Sequence, residues 1–389
     1  MPYLKHHGFS EERPLIQTLL FLTLLVLIYP SNAVSNESTH LSHSEINTIS
    51  RFGPWPLTSD KDKTNKYSEN ALAQTLGKTL FFDSNLSAKK GVSCASCHQP
   101  NHAFTDQIPV AIGLKLGSRN TPSLLNVRFK HWYGWGGDID TLWGASIRAI
   151  INPKEMGANT KDLVTYLEKS PSYQSLTELA DWKNTSSEQG KLVLVGKMLA
   201  AYQEQLISPP SAFDQFRQAL LNKNTTQMAK YGQAERRGLK LFIGKGNCHF
   251  CHMGPNFSNG EFGDIGMPYF DHQGKIDKGR YAGIKNIKSS PFSSLGRYND
   301  DNTGESKVLA QHLVLKHRNF GEFMVPSLRN IKATAPYMHQ GSLRNLAQVI
   351  EHYSELDEER LHSDGVAIVK PLKLSSKEKS DLKAFLESL

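Results

Sequence analysis

All four cysteines of the 389-residue chain fall in two copies of one pattern, Cys94-Ala95-Ser96-Cys97-His98 and Cys248-His249-Phe250-Cys251-His252. Each copy is C-x-x-C-H, the attachment signature of haem c, and no cysteine is left over. Two thiols one helical turn apart can each add to a haem vinyl group. The adjacent histidine then stands beneath the iron as proximal ligand. A redox dithiol or a zinc site built from two C-x-x-C pairs is the competing use of such spacing. The two histidines, and the long separation of the pairs, fit two separate haems better. Cys94, Cys97, His98, Cys248, Cys251 and His252 are therefore the expected haem-binding residues.

A haem in each half shapes the expected fold. Gly77-Lys78-Thr79-Leu80-Phe81 precedes the first motif and Gly238-Leu239-Lys240-Leu241-Phe242 the second, a weak internal repeat that reads as two amphipathic helices. Strand signals are few. The expectation is a mainly α chain of two cytochrome c-like helical domains, each around one covalently bound haem c. The break at Ser208-Pro209-Pro210-Ser211 places a first domain over 45–210 and a second over 225–389. Loops are expected over 254–279. Ser375-Ser376-Lys377-Glu378 opens a final helix with a capping box, and Leu382, Phe385, Leu386 and Leu389 share one face of it.

The N-terminus points to export. The apolar run from Leu15 to Tyr29 is shorter than the about 20 residues that a membrane span needs. Ser31, Asn32 and Ala33 suit cleavage after Ala33, so residues 1–33 read as a signal peptide and the mature chain as periplasmic, without stable membrane insertion. The n-region is untidy, because Glu11 and Glu12 balance Lys5 and Arg13; an uncleaved anchor is the alternative. The formal net charge of +8 suits an acidic redox partner. No basic stripe interleaved with aromatics speaks for nucleic acid.

Longer blocks carry a resemblance. LGKTLFFD with CASCHQPNHAFTD, then RNTPSLLNV, GWGGDIDTLW, NPKEMG, AERRGLKLF with CHFCH, and VPSLRNIKATAPYMHQGSL resemble, in order, the bacterial di-haem cytochrome c peroxidases, including their MauG-type members. The resemblance spans roughly residues 70–355. It implies an N-terminal haem that meets hydrogen peroxide and a C-terminal haem that relays electrons from a small periplasmic cytochrome c or cupredoxin. It makes His98 and His252 the proximal ligands and Trp135 the tryptophan between the haems. Glu155 matches the distal glutamate that would shuttle peroxide's proton. Asn120, with the carbonyls of Thr334 and Pro336, matches a calcium site.

Three departures narrow this picture. Ile112 stands where many members hold a histidine that blocks the peroxidatic iron, so the first haem is expected to be open. Tyr353, fourteen residues after His339, stands where many members use a methionine as sixth ligand of the second haem. MauG-type enzymes also use tyrosine there; Met338 or another methionine is the alternative ligand. Against a MauG-like role, Gly246 replaces a surface tryptophan used to draw electrons from a protein substrate, and Ala145 replaces a distal glutamine. Three functions follow: a peroxide-reducing enzyme, a peroxide-dependent oxidase acting on tyrosine or tryptophan of a partner protein, and a plain electron-transfer cytochrome.

Overall fold

The computed structural model describes residues 40–58, 60–268, 270–357 and 367–389. The expected signal peptide, 1–33, lies outside the described residues. Helices dominate. Those of eight residues or more are α1 (His43–Ser50), α2 (Ala71–Phe82), α3 (Leu142–Ile151), α4 (Thr160–Lys169), α5 (Glu188–Gln203), α6 (Ala212–Leu221), α7 (Gln233–Ile243), α8 (Gly279–Ser289), α9 (Leu346–Glu355) and α10 (Ser376–Leu386). Two-residue strands β1 (Phe262–Gly263) and β2 (Phe323–Met324) pair antiparallel. Among the described residues no helix is long and apolar enough to cross a membrane.

Helix starts follow the caps in the sequence. Asn70, Thr141, Asn159, Ser187 and Asn345 each accept a first-turn N–H, and Ser375 with Glu378 forms the expected capping box of α10.

Two apolar cores result. One gathers Leu76, Leu80 and Phe81 of α2, Trp143 and Ile147 of α3, and Val195, Met198 and Leu199 of α5. The other gathers Leu239 and Phe242 of α7 with Phe257, Ile350, Leu382 and Phe385. Ile49 and Phe52, although early in the chain, belong to this second core, and Phe292 belongs to the first. The same packing device serves both. A Cβ on Gly77 of α2 would lie 2.0 Å from the Met198 carbonyl oxygen of α5, and one on Gly238 of α7 would lie 2.0 Å from the Asp381 carbonyl oxygen of α10. Glycine at these two places lets backbone approach backbone.

A second repeat, longer than the one around the cysteines, runs through both halves at a constant offset. Pro122-Ser123-Leu124 recurs as Pro326-Ser327-Leu328. Asn126 and Asn330 both take positive φ (62° and 59°) ahead of a short 3-10 turn. Tyr133 bridges Ile139 as Tyr337 bridges Leu343. Helix α3 then corresponds to α9, end to end. On this register Trp135 matches His339, Arg148 matches His352, and Ala149 matches Tyr353.

Candidate active site

The first motif is folded by its neighbours. Ser93 opens the short helix Cys94–Cys97, and the His98 N–H closes it on the Cys94 carbonyl at 2.9 Å. The chain then curls back through Ala103 and Phe104, both at positive φ (52° and 57°). This turn brings the Phe104 carbonyl to 3.1 Å from His98 Nδ1. The second motif does the same: Phe257, at φ 49°, sets its carbonyl 3.0 Å from His252 Nδ1. Each imidazole thereby donates through Nδ1 and keeps Nε2 as a lone-pair donor, the tautomer an iron ligand needs. Burial pushes both imidazoles toward the neutral form.

The cysteines are not paired in disulfides. Burial pushes the Cys94 thiol up to about 12 and the Cys97 thiol up to about 11, and Cys248 also up to about 12. A redox dithiol works through a depressed thiol pKa, so that use is disfavoured. The two motifs sit against different cores, which separates them from any common zinc site.

A cavity of about 640 Å³ opens over the first motif, lined by Cys94, Cys97, His98, Trp135, Ala145, Ala149 and Glu155 among others. This falls in the range that holds a cofactor-sized molecule, about 300–1,000 Å³. Lys130 also lines it, with no carboxylate partner among the described residues; burial alone lowers its ammonium to about 8. An ammonium unpaired among the described residues, an imidazole and two thiols in one largely apolar cavity fit a haem with its carboxylate side chains. Residues 275–278 and Asn286 close the cavity from the other half of the chain. Arg119 pins them, holding Asp277 through two contacts of 2.6 and 2.7 Å and Asp138 at 3.0 Å.

Glu155 lies on the cavity wall after α3. Its Oε1 accepts from Asn152 Nδ2 at 2.6 Å, and burial raises its pKa while the Arg148 charge opposes the rise. Its charge reaches both Cys94 and Cys97. Ile112, 58% exposed, bridges Leu116 across a hairpin whose Gly113 and Lys115 line the cavity, and its apolar side chain has no ligand atom to offer. Trp135 donates from Nε1 to the Asn120 carbonyl at 3.0 Å and accepts from the Met324 N–H at 2.8 Å. Asn120 in turn donates its N–H to the His339 carbonyl at 2.8 Å, so Trp135, Asn120 and the Thr334–His339 loop adjoin. Asn120 Nδ2 is used on the Ile108 carbonyl, whereas its Oδ1 and the carbonyls of Thr334 and Pro336 meet no donor among the described residues. Oxygens left free in this way suit a hard cation.

In the second half, the Tyr353 phenol lies near the Cys248 and Cys251 thiols, and desolvation raises its pKa above the ordinary 10. At Gly246 a Cβ would lie 2.9 Å from the Leu241 carbonyl oxygen. Sequence reasoning missed Arg148, Lys130 and the Arg119–Asp277 clasp. The recurring Pro-Ser-Leu and Asn positions were a usable signal for the longer repeat.

The family model described as di-haem cytochrome c peroxidase matches residues 72–221. A cytochrome-c peroxidase, IdrP2 of Denitromonas iodatirespirans, is 32% identical over 82% of this chain and 82% of its own. The chain belongs to the di-haem cytochrome c peroxidase family. It is an oxidoreductase by that membership, and it is also similar to the methylamine utilization protein MauG of Methylophilus methylotrophus, 31% identical over 81% of each chain. Among solved structures, a MauG-like protein associated with microbial copper homeostasis matches with a TM-score of 0.64 and 25% identity, over 87% of this chain and 95% of that one. The mainly helical fold is thus that of MauG-like di-haem peroxidases.

Proposed function

We propose that this chain reduces hydrogen peroxide to water in the periplasm, with electrons from a small cytochrome c or cupredoxin. Covalent haem c groups held by Cys94, Cys97 and His98, and by Cys248, Cys251 and His252, would supply the redox chemistry. The observation that carries the reading is an asymmetry on equivalent helices. Ala149 and Ala145 leave the first cavity open beside Glu155, whereas Tyr353 stands at the matching helix position in the second half, near the Cys248 and Cys251 thiols.

The residues divide the work. Glu155 takes a proton from bound peroxide and returns it to the outer oxygen, which leaves as water. Two donor electrons and two solvent protons complete the balance of one peroxide to two waters. Such a positioned carboxylate contributes about 10²–10⁴ in rate. Trp135, tied to Asn120 and Met324, couples the two centres. Tyr353 would hold the iron of the second haem through its phenol oxygen, and an anionic oxygen donor would favour the oxidised states there. Asn120, Thr334 and Pro336 would hold a calcium ion that fixes this joint. Phe250, inside the second motif, and Met253, directly after it, are 71% and 48% exposed and offer an apolar docking spot for the donor.

The test is steady-state oxidation of reduced small cytochrome c by peroxide, starting from the fully oxidised enzyme. Many turnovers without pre-reduction are expected. The second reading, a peroxide-dependent oxidase acting on tyrosine or tryptophan of a partner protein, is favoured by Tyr353 and weakened by Gly246. Negligible cytochrome turnover with a persistent oxidised spectrum would select it. Two six-coordinate low-spin centres inert to peroxide would select an electron-transfer cytochrome.

A further inference from the structure

We infer that Arg148 is the positioning residue of the peroxide site, a fixed cation that holds the Glu155 carboxyl ready to accept peroxide's proton. The inference rests on the reading of Glu155 as proton carrier. Along the cavity wall from Leu142 to Met156, Ala145 and Ala149 offer only methyl groups. The Ser146 hydroxyl is spent on the Leu142 carbonyl and on Gln203 Nε2. Arg148, Lys154 and Glu155 are the charged residues of that wall.

Arg148 is anchored rather than free. Its Nη1 lies 2.9 Å from Asp138 Oδ2, a carboxylate only 5% exposed, while its own side chain stays 43% exposed along the cavity. Gly134 makes room for this pair: at φ 79° it lacks a Cβ that would lie 2.6 Å from Asp138 Oδ2 and 3.1 Å from Arg148 Nη2. One turn on, the Asn152 N–H closes α3 on the Arg148 carbonyl at 3.0 Å, and its Nδ2 holds Glu155 Oε1. Glu155 Oε2 meets no protein donor among the described residues and is left for the proton.

The charges around Glu155 come from several elements. Arg148 favours its ionised form more than Asp138 opposes it. Asp138 is shared with Arg119, whose other partner is Asp277, and with Asn286 of α8. Lys115 of the facing hairpin, and Asp271, Lys275 and Lys278 from the other half, line the same cavity. The proton step itself is conservative: one proton leaves hydrogen peroxide for Glu155 Oε2 and later joins the departing oxygen, so Glu155 ends as it began.

The test is the pH dependence of cyanide association with the fully oxidised protein, followed in the visible spectrum, with peroxide association alongside. Hydrogen cyanide must also lose its proton on binding, and the readout needs no turnover. R148Q is expected to move the acid limb up by about one pH unit, about tenfold slower below the limb and unchanged above it. R148K is expected to restore the wild-type limb. D138N, which removes the opposing charge, is expected to move the limb down. Opposite shifts from two contacting residues separate an electrostatic role from a structural one, and D138N gives a reading even if R148Q does not fold. Limbs unmoved in R148Q and D138N, or moved the same way, would overturn the inference while E155Q still abolished the limb. An unaltered E155Q would instead overturn the reading of Glu155 itself.

Discussion

Ala149 and Tyr353 occupy the same place on two equivalent helices, α3 and α9, one lining an open cavity and the other set near the thiols of the second motif. A methyl group at one site and a phenol at the other give two chemically different centres within one repeated frame. Replacing Tyr353 tests this directly. Tyr353→Phe is expected to turn the second haem five-coordinate and high-spin in visible and EPR spectra, leaving the first unchanged. A spectrum identical to wild type would assign the ligand to Met338 or another residue.

Glu155→Gln is expected to slow the reaction with peroxide by about 10²–10⁴ with little change in stability, measured by rapid mixing. Because burial raises the Glu155 pKa and the proton acceptor is the ionised form, the wild-type rate rises with pH through a midpoint above the ordinary 4.5. A rate flat across that window speaks against Glu155 as acceptor.

The Arg119–Asp277 clasp joins residues far apart in the chain, and Asp277 is 7% exposed at its side chain. Arg119→Ala is expected to cost about 3–5 kcal/mol, since it leaves a buried carboxylate without its cation. The Asp277 pKa is lowered, the hydrogen bonds and charge of Arg119 outweighing desolvation. Its contribution is therefore present above the unfolded value of about 3.9 and is lost as pH falls through the lower folded value. Thermal unfolding from pH 7 to below 4 measures both. An Arg119→Ala protein as stable as wild type contradicts the clasp.

Gly77→Ala and Gly238→Ala each place a Cβ 2.0 Å from a carbonyl oxygen of the packed helix. Each is expected to destabilise its core by at least about 1–3 kcal/mol, read as a lower Tm. Gly91→Ala is the control for crowding, because among the described residues nothing beyond its chain neighbours lies within 4 Å of the added Cβ; its cost would come from φ 134° alone.

Phe250→Ser is expected to raise the KM for the cytochrome donor several-fold and to leave the reaction of the oxidised enzyme with peroxide unaltered. An unchanged donor KM would place docking elsewhere.

The sequence carried much of this account where the physics is local. Two C-x-x-C-H motifs point to the expected ligands, and Ser375 with Glu378 announces a helix start, because each signal lies within one turn of backbone. What escaped is long-range. Nothing near Phe104 or Phe257 says that a positive φ will aim its carbonyl at a histidine. Ile49 and Phe52 could not be assigned to the second core from their position early in the chain. Arg119 pairs with Asp277 only after the two halves meet. Nothing in the sequence near Arg148 says that Gly134, Asp138 and Glu155 will be set around it.

The most direct measurement mixes the fully oxidised protein with hydrogen peroxide in a stopped-flow spectrometer, with no reductant present. An immediate second-order change at the first haem is expected, with the rate proportional to peroxide, because Ala149 and Ile112 offer that site no ligand. No reaction until the second haem is first reduced would contradict it.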